Sequence, residues 1–156
     1  MLKIGDKFPV FKLPVSEGKN FSLKDLHGKY AVVYFYSKDG STGCTLEAHE
    51  FSLLATAFQD AGATIVGVSP DSISAHERFT AKNDLKITLL SDPNHELLEK
   101  AGVWQLKKMY GREYMGVVRS TFILDPKGKI LFLWTKVKAK GHAAEVLAKL
   151  KSLIAP

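Results

Sequence analysis

The sequence predicts an α/β domain with a mixed central sheet and helices on both of its faces. Two apolar runs rich in β-branched and aromatic residues, 29–37 and 63–71, are typical of strands buried on both sides. A segment with apolar residues at helical spacing follows each run. Two further apolar runs are joined by Asp-Pro-Lys-Gly, residues 125–128, which is typical of a hairpin and adds antiparallel strands to the parallel ones.

The predicted strands and helices alternate along the chain. They are, in order, strand 29–37, helix 45–62, strand 63–71, helix 72–84, strand 87–92, helix 95–102, hairpin strands 116–124 and 129–137, and a C-terminal helix. Gly62 is the expected stop of the first helix, and Ser72 is the expected N-cap of the second. The C-terminal helix has one apolar face, formed by Val146, Leu147, Leu150, Leu153 and Ile154. This order of elements is that of a thioredoxin-like fold.

Composition indicates a globular protein with one domain, residues 1–156. Apolar residues make up 46% of the chain and charged residues 24%, as in ordinary soluble domains. No apolar run approaches the ~20 residues that span a bilayer, and the N-terminal segment lacks the apolar core of a signal peptide. The single cysteine excludes an internal disulfide, so we expect a cytoplasmic protein.

The net charge of +6 is dispersed rather than clustered. The densest basic segments, LKKMYGR and TKVKAKGH, are short and more typical of solvated surface than of a nucleic-acid interface. The histidines are scattered and show no metal-ligand spacing. The sequence therefore predicts no nucleic-acid or membrane partner, no metal and no cofactor.

The single cysteine, Cys44, follows the first buried strand and a glycine-rich turn. Ligands of open α/β sheets bind beyond the carboxyl ends of the strands, where this turn is expected. In the first turn of a helix, unpaired backbone N–H groups and the positive end of the helix dipole favour the thiolate, which is the nucleophilic form. A lone cysteine is equally often a small buried hydrophobe, and the turn alone does not separate the two interpretations.

The rest of the helix favours a chemical role for Cys44. Its core-facing stripe is predicted to pass through Leu46, Leu53 and Phe58. At 100° per residue, Cys44 then lies well off the stripe, on the side of Glu47. A cysteine that serves only to fill the core belongs on the stripe, so this placement favours a reactive thiol.

The segment that carries Cys44, FYSKDGSTGCTLEAHEF, resembles the active-site segment of peroxiredoxins of the bacterioferritin-comigratory-protein, or PrxQ, group. Four more stretches resemble that group: GDKFPVFKLP, GVSPDSISAHERF, LLSDPNHELLEKAGVW and KKMYGREYMGVVRSTFILDPKGKI. The resemblance covers nearly the whole chain in the right order. It implies a thiol-dependent peroxidase that reduces hydrogen peroxide and organic hydroperoxides through a cysteine sulfenic acid.

Catalytic residues follow from the family pattern, P-x-x-x-[ST]-x-x-C with a later arginine before T-F. The resemblance implies that Cys44 is the peroxidatic cysteine, Ser41 its hydroxyl partner and Arg119 the arginine. A guanidinium stays protonated, donates to developing negative charge and lowers the pKa of a nearby thiol. Glu47 shares the helix face of Cys44, and we expect it to pair with Arg119 and hold the guanidinium in place.

Substrate contacts are expected from three further residues. The backbone N–H of Gly43 is free at the start of the helix. Ser37 replaces the proline of the family pattern, so a hydroxyl takes the place of a rigid apolar wall. Tyr36 is expected as an aromatic wall of the pocket.

No resolving cysteine accompanies Cys44. His49 occupies one position that the family uses for it, and residues 73–84 contain no cysteine for the other. The sulfenic acid must then be reduced by an outside thiol, and thioredoxin, glutaredoxin and small thiols remain open. The resemblance also implies a monomer, with a dimer through Cys44 possible, and local unfolding of the first helical turn.

Two other functions remain as alternatives. A thiol–disulfide oxidoreductase shares the fold, but the chain lacks the C-x-x-C pair that such enzymes use. A redox sensor or binding module would keep the fold with a peroxidase site weakened by Ser37. Catalytic turnover with a reductant separates the peroxidase from the sensor.

Overall fold

The computed structural model of the chain describes residues 2–155. Its strands are β1 (Lys12–Ser16), β2 (Lys19–Ser22), β3 (Tyr30–Phe35), β4 (Ala63–Ser69), β5 (Thr88–Ser91), β6 (Trp104–Met109), β7 (Arg112–Val117), β8 (Ser120–Leu124) and β9 (Ile130–Trp134). Its helices are α1 (Thr42–Leu53), α2 (Ala55–Asp60), α3 (Ile73–Asn83), α4 (Glu96–Lys100) and α5 (His142–Ile154), with a 3-10 turn at Leu23–Leu26.

A five-stranded sheet in the order β5-β4-β3-β8-β9 forms the centre of the protein. Strands β3, β4 and β5 are parallel, whereas β8 runs antiparallel to β3 and β9 antiparallel to β8. The predicted mixed sheet is therefore confirmed. Central β3 carries aliphatic and aromatic side chains that are almost entirely buried, as expected for a strand covered on both faces.

Two hydrophobic cores lie on the two faces of the sheet. One joins Phe35 and Phe122 to the N-terminal segment around Phe8 and to α4. The other lies beneath α1 and α5, where the ring of Phe51 stacks on Tyr34 with centroids 4.7 Å apart. This second core positions the start of α1, because the stacked aromatic pair fixes which face of the helix meets the sheet.

The predicted core stripe of the first helix is wrong. Leu46 and Leu53 are 38% and 72% exposed, and the buried face is the one that carries Cys44, Glu47 and Phe51. The predicted single helix breaks at Leu54, where φ is −98° and ψ is 5°. The break turns α2 relative to α1. Phe58 on α2 is therefore buried, although Leu46 and Leu53 on α1 are exposed.

Two hairpins, β1–β2 and β6–β7, were not predicted. The second contains the first two residues of the expected strand 116–124, which divides because β7 ends at Val117 and β8 begins at Ser120. Its turn consists of Tyr110 and Gly111, both with positive φ, as a two-residue hairpin loop requires. Tyrosine rarely adopts that conformation, so residues 110–111 are not typical of such a turn. The remaining predicted strands and helices are present with shifted ends.

Candidate active site

Cys44 lies in the first turn of α1, beyond the carboxyl end of β3. Ser41 is the N-cap, and its carbonyl accepts the first helical hydrogen bond from the N–H of Thr45 at 2.9 Å. The N–H groups of Thr42, Gly43 and Cys44 precede that bond, so they lack acceptors within the helix. The Cys44 side chain itself is 1% exposed.

The side chains of Arg119 and Ser37 reach the sulfur of Cys44. Nη2 of Arg119 donates to Sγ at 3.3 Å, and Oγ of Ser37 lies 3.6 Å from Sγ. Arg119 comes from the two-residue link between β7 and β8, and Ser37 follows β3. Strand β8 is hydrogen bonded to β3, so the antiparallel pairing of these strands carries both side chains to the thiol.

The pKa of the Cys44 thiol is lowered from its ordinary value. Burial raises it, and this is opposed by hydrogen bonding from Ser41 and from the backbone of Lys38, by the charge of Arg119 and by hydrogen bonding from Ser37. The Ser41 hydroxyl also donates to the Lys38 carbonyl at 3.0 Å. Since that hydroxyl has one proton, it can serve either the carbonyl or the thiolate at one time.

Glu47 holds Arg119 beside the thiol. Nη1 of Arg119 donates to Oε1 of Glu47 at 2.6 Å, while Nη2 of the same guanidinium faces the sulfur. Glu47 is fully buried, and this burial raises its pKa to about 7 although Arg119 acts in the opposite direction. Its Oε2 has no hydrogen-bond partner among the described atoms. The predicted pairing of Glu47 with Arg119 is present in the structure.

Gly43 makes room for the guanidinium. A Cβ atom at this position would lie 3.0 Å from Nη2 of Arg119, which is closer than ordinary carbon contacts. The glycine therefore allows Arg119 to lie against the helix start, where it reaches both Cys44 and Glu47.

An open groove of about 670 Å³ borders the site at Ser37 and Arg119. Ser37 and Arg119 lie on its lining, together with residues of the β6–β7 hairpin and the segment after β9, namely Gln105, Leu106, Lys107, Lys108, Met109, Tyr114, Val117, Val118, Lys136 and Val137. The lining is partly apolar and partly basic. Tyr114 of β7 lies on this lining, so the β6–β7 hairpin packs next to the site.

Tyr36 lies elsewhere than the sequence suggested. It is 1% exposed, and its hydroxyl donates to Asp39 at 2.6 Å instead of lining the groove. The structure thus brings together Cys44, Arg119, Glu47 and Ser37, and it leaves Tyr36 behind the loop.

Sequence reasoning missed a partly buried polar cluster formed by Asp39, Asp71 and His76. Their potential ligand atoms lie within 4.8 Å of one another, which makes this the candidate metal site among residues 2–155. Both carboxylate oxygens of Asp39 and both ring nitrogens of His76 already have hydrogen-bond partners. The cluster therefore forms a hydrogen-bond network. No spacing rule links a loop aspartate to a histidine 37 residues away, so the sequence carried no signal for it.

A thioredoxin-like sheet with a buried cysteine at a helix start, held by an arginine–glutamate pair, defines a peroxiredoxin. The family model described as "AhpC/TSA family" matches residues 4–133. The chain belongs to this family.

No helix within residues 2–155 is long and apolar enough to cross a membrane.

Relatives narrow the group within the family. Peroxiredoxin Bcp of Bacillus subtilis is 45% identical over 152 residues, covering 97% of each chain. The structure of a PrxQ cysteine-to-serine mutant from Xylella fastidiosa superposes with a TM-score of 0.92 at 37% identity, covering 97% of each chain. The bacterioferritin comigratory protein of Xanthomonas campestris, studied for its alkyl peroxide reduction, gives a TM-score of 0.86 at 42% identity over 91% of this chain and 90% of that chain.

These findings confirm the predicted resemblance, the thioredoxin-like fold and the class of enzyme. The chain is a thiol-dependent peroxidase of the PrxQ type, and its sequence holds one cysteine. Peroxiredoxin Q of Xanthomonas campestris has been solved as serine mutants at two different cysteines, so that protein has at least one cysteine more than this chain.

Proposed function

We propose that Cys44 is the peroxidatic cysteine and that Arg119, Glu47, Ser41, Ser37 and Gly43 form its peroxide-reducing site. The observation that carries this proposal is the position of one guanidinium between thiol and carboxylate, at 3.3 Å from Sγ and 2.6 Å from Oε1. A guanidinium fixed on one side by Glu47 is preorganised on the other for the charge that develops at the reacting oxygens.

In the first step, the thiolate of Cys44 attacks one oxygen of the peroxide. The S–O bond forms as the O–O bond breaks, the sulfur is oxidised to sulfenic acid, and the departing oxygen takes up a proton to leave as water or alcohol. Arg119 donates to the peroxide oxygens during this displacement, and the N–H groups of Gly43 and Cys44 add donors at the helix start. Ser37 and Ser41 supply hydroxyl donors to the thiolate.

Organic hydroperoxides as well as hydrogen peroxide fit this site. The groove is wider than hydrogen peroxide needs, and side chains such as Leu106, Met109 and Val117 give it apolar surface. Tyr36 has no place in this substrate site, because its hydroxyl is directed at Asp39.

Regeneration uses an external thiol, since no second cysteine is present to form an internal disulfide. One thiol condenses with the sulfenic acid to a mixed disulfide and water, and a second thiol releases Cys44. Because Cys44 is 1% exposed, the first turn of α1 must open before either thiol can reach the sulfur. Thioredoxin, glutaredoxin and small thiols all fit this chemistry, in a monomeric cytoplasmic protein.

Catalytic turnover tests the proposal. We expect consumption of hydrogen peroxide and of cumene hydroperoxide with dithiothreitol as reductant, and no turnover in Cys44→Ser. Oxidation of Cys44 without turnover would instead support the redox sensor. Reduction of insulin disulfides at a rate matching the peroxidase rate would support the oxidoreductase.

A further inference from the structure

The loop between β3 and α1, residues 37–41, carries Ser37 and Ser41 and leads into the turn of Cys44. Within the loop, Ser41 is bonded back to Lys38 through its N–H and its hydroxyl. These bonds shape the turn but do not attach it to the rest of the protein. That attachment is made by Asp39.

Asp39 binds three separate parts of the fold. Its Oδ1 accepts from the hydroxyl of Tyr36 at 2.6 Å, and its Oδ2 accepts from Nδ1 of His76 on α3 at 2.6 Å. Its backbone N–H donates to Oδ2 of Asp71 at 2.8 Å, and the Ser69 hydroxyl donates to that same oxygen at 2.7 Å. One loop residue is therefore fixed to the end of β3, to α3 and to the segment after β4.

The histidine is itself fixed on its far side. Nε2 of His76 donates to the carbonyl of Leu90 on β5 at 3.0 Å, so both ring nitrogens have hydrogen-bond partners. The side chains of His76 and Asp39 are 4% and 8% exposed. Burial holds the pKa of Tyr36 well above its ordinary value, so its hydroxyl keeps the proton that it donates to Asp39. A buried, fully bonded network of this kind is rigid.

We propose that Asp39 and His76 form a latch that positions the loop of the peroxidatic cysteine, favouring attack on peroxide when closed and access of the reducing thiol when open. Both are positioning residues, because they act through the loop and do not contact sulfur. The inference rests on the proposed function of Cys44.

The latch has opposite effects on the two half-reactions. Closed, it keeps Ser37 and Ser41 near Sγ and the helix start intact, which the attack on peroxide requires. In the same closed state, the sulfur is buried and a bulky thiol cannot reach it. Weakening the latch should therefore slow oxidation and speed reduction, whereas simple destabilisation of the protein should impair both.

Asp39→Ala tests the latch, with Asp39→Asn as the conservative variant, since an amide can still bond Tyr36 and a neutral His76. Ser72→Ala is the matched control, because it removes the N-cap of α3, where Ser72 accepts from the N–H of Ala75 at 3.1 Å, without touching Asp39. Thermal melting establishes that each variant is folded. Stopped-flow mixing with hydrogen peroxide, and then mixing of the sulfenic acid form with dithiothreitol, measures the two steps separately.

For Asp39→Ala we expect oxidation about tenfold slower and reduction severalfold faster, since each lost hydrogen bond is worth roughly a factor of 2 to 10. Amide exchange across residues 38–47 should accelerate. Asp39→Asn should recover most of the wild-type values, and Ser72→Ala should leave the ratio of the two rates unchanged. Rates that stay at wild-type values, or that fall together in Asp39→Ala, would overturn the latch. A wild-type protein that forms no sulfenic acid would instead refute the proposed function.

Discussion

Nη2 of Arg119, which directly precedes β8, lies 3.3 Å from the sulfur of Cys44, which follows β3. Arg119 is 75 residues away in sequence, and it is brought to the thiol by the pairing of β8 with β3. Because the second nitrogen of the guanidinium is held by Glu47, this contact depends on bidentate geometry as well as on charge.

Arg119→Lys should therefore lose most of the activity although it keeps the charge. A lysine ammonium is a point charge and lacks the planar guanidinium that donates to the sulfur and to the carboxylate in one fixed geometry. We expect kcat/KM for peroxide to fall ~100-fold, as for the loss of a preorganised donor. Steady-state kinetics with saturating dithiothreitol measures it, and a Lys variant within a factor of two of wild type would contradict the geometric role.

Arg119→Ala should also reduce stability, because it leaves Glu47 buried without its partner. Removing one member of a buried pair costs up to ~3–5 kcal/mol, and the full cost applies at a pH where Glu47 stays ionised. The double variant Arg119→Ala with Glu47→Gln should recover much of that stability but no activity. Urea denaturation of the three proteins checks this expectation, and equal stability of single and double variants would count against it.

The titration of Glu47 should appear in the pH dependence of folding. Its pKa is raised by burial from 4.5 to about 7, so the folded state binds the proton more tightly than the unfolded state. The free energy of unfolding should then fall as pH rises from about 5 to 7, by up to ~3 kcal/mol. The test compares the unfolding of Cys44→Ser with that of Cys44→Ser/Glu47→Gln. Both proteins lack the thiol, so its titration does not contribute to the difference. The decline should be missing from the double variant, and parallel curves would contradict the raised pKa.

Gly43→Ala should affect stability and rate in opposite directions. Alanine favours the helix by up to ~1 kcal/mol over glycine. Its Cβ would lie 3.0 Å from Nη2 of Arg119, so the guanidinium must move. We expect an unchanged or raised melting temperature with a severalfold slower oxidation of Cys44. A variant as fast as wild type would show that the close approach at Gly43 is dispensable.

Replacing Ser41 or Ser37 with alanine should raise the pKa of the Cys44 thiol, and the two changes should differ in size. Hydrogen bonding from Ser41 lowers the pKa of Cys44 more than that from Ser37 does. Titration of thiolate absorbance near 240 nm should give a higher pKa for both alanine variants than for wild type, with Ser41→Ala the larger change. The reverse order would mean that the Ser41 proton stays with the Lys38 carbonyl.

Much of the fold followed from hydrophobic patterning. The buried strands around Val33 and Val66 and the amphipathic C-terminal helix depend on burial alone, which the sequence records directly. The face of α1 did not follow, because it is set by the stacking of Phe51 on Tyr34 and not by the sum of apolar residues along the helix. Leu46 and Leu53 are apolar but exposed, so the spacing of apolar residues predicted the wrong buried face for this helix.

The site was predictable only in part for a related reason. Cys44 and Ser41 lie in one local segment, and Arg119 was found through the family resemblance. Asp39 and His76 meet through tertiary contacts between a loop and α3, which no local pattern encodes. The hydroxyl of Tyr36 belongs to that network, so a residue adjacent to the site in sequence lies behind it in space.

The most direct test of the peroxidase site is rapid mixing of the fully reduced protein with one equivalent of hydrogen peroxide. Tryptophan emission follows the rate, and a sulfenic-acid trap with mass spectrometry identifies the oxidised residue. We expect fast, stoichiometric trapping at Cys44 that is lost in Arg119→Ala. Oxidation no faster than that of a free thiol in solution would contradict a peroxidase site at Cys44.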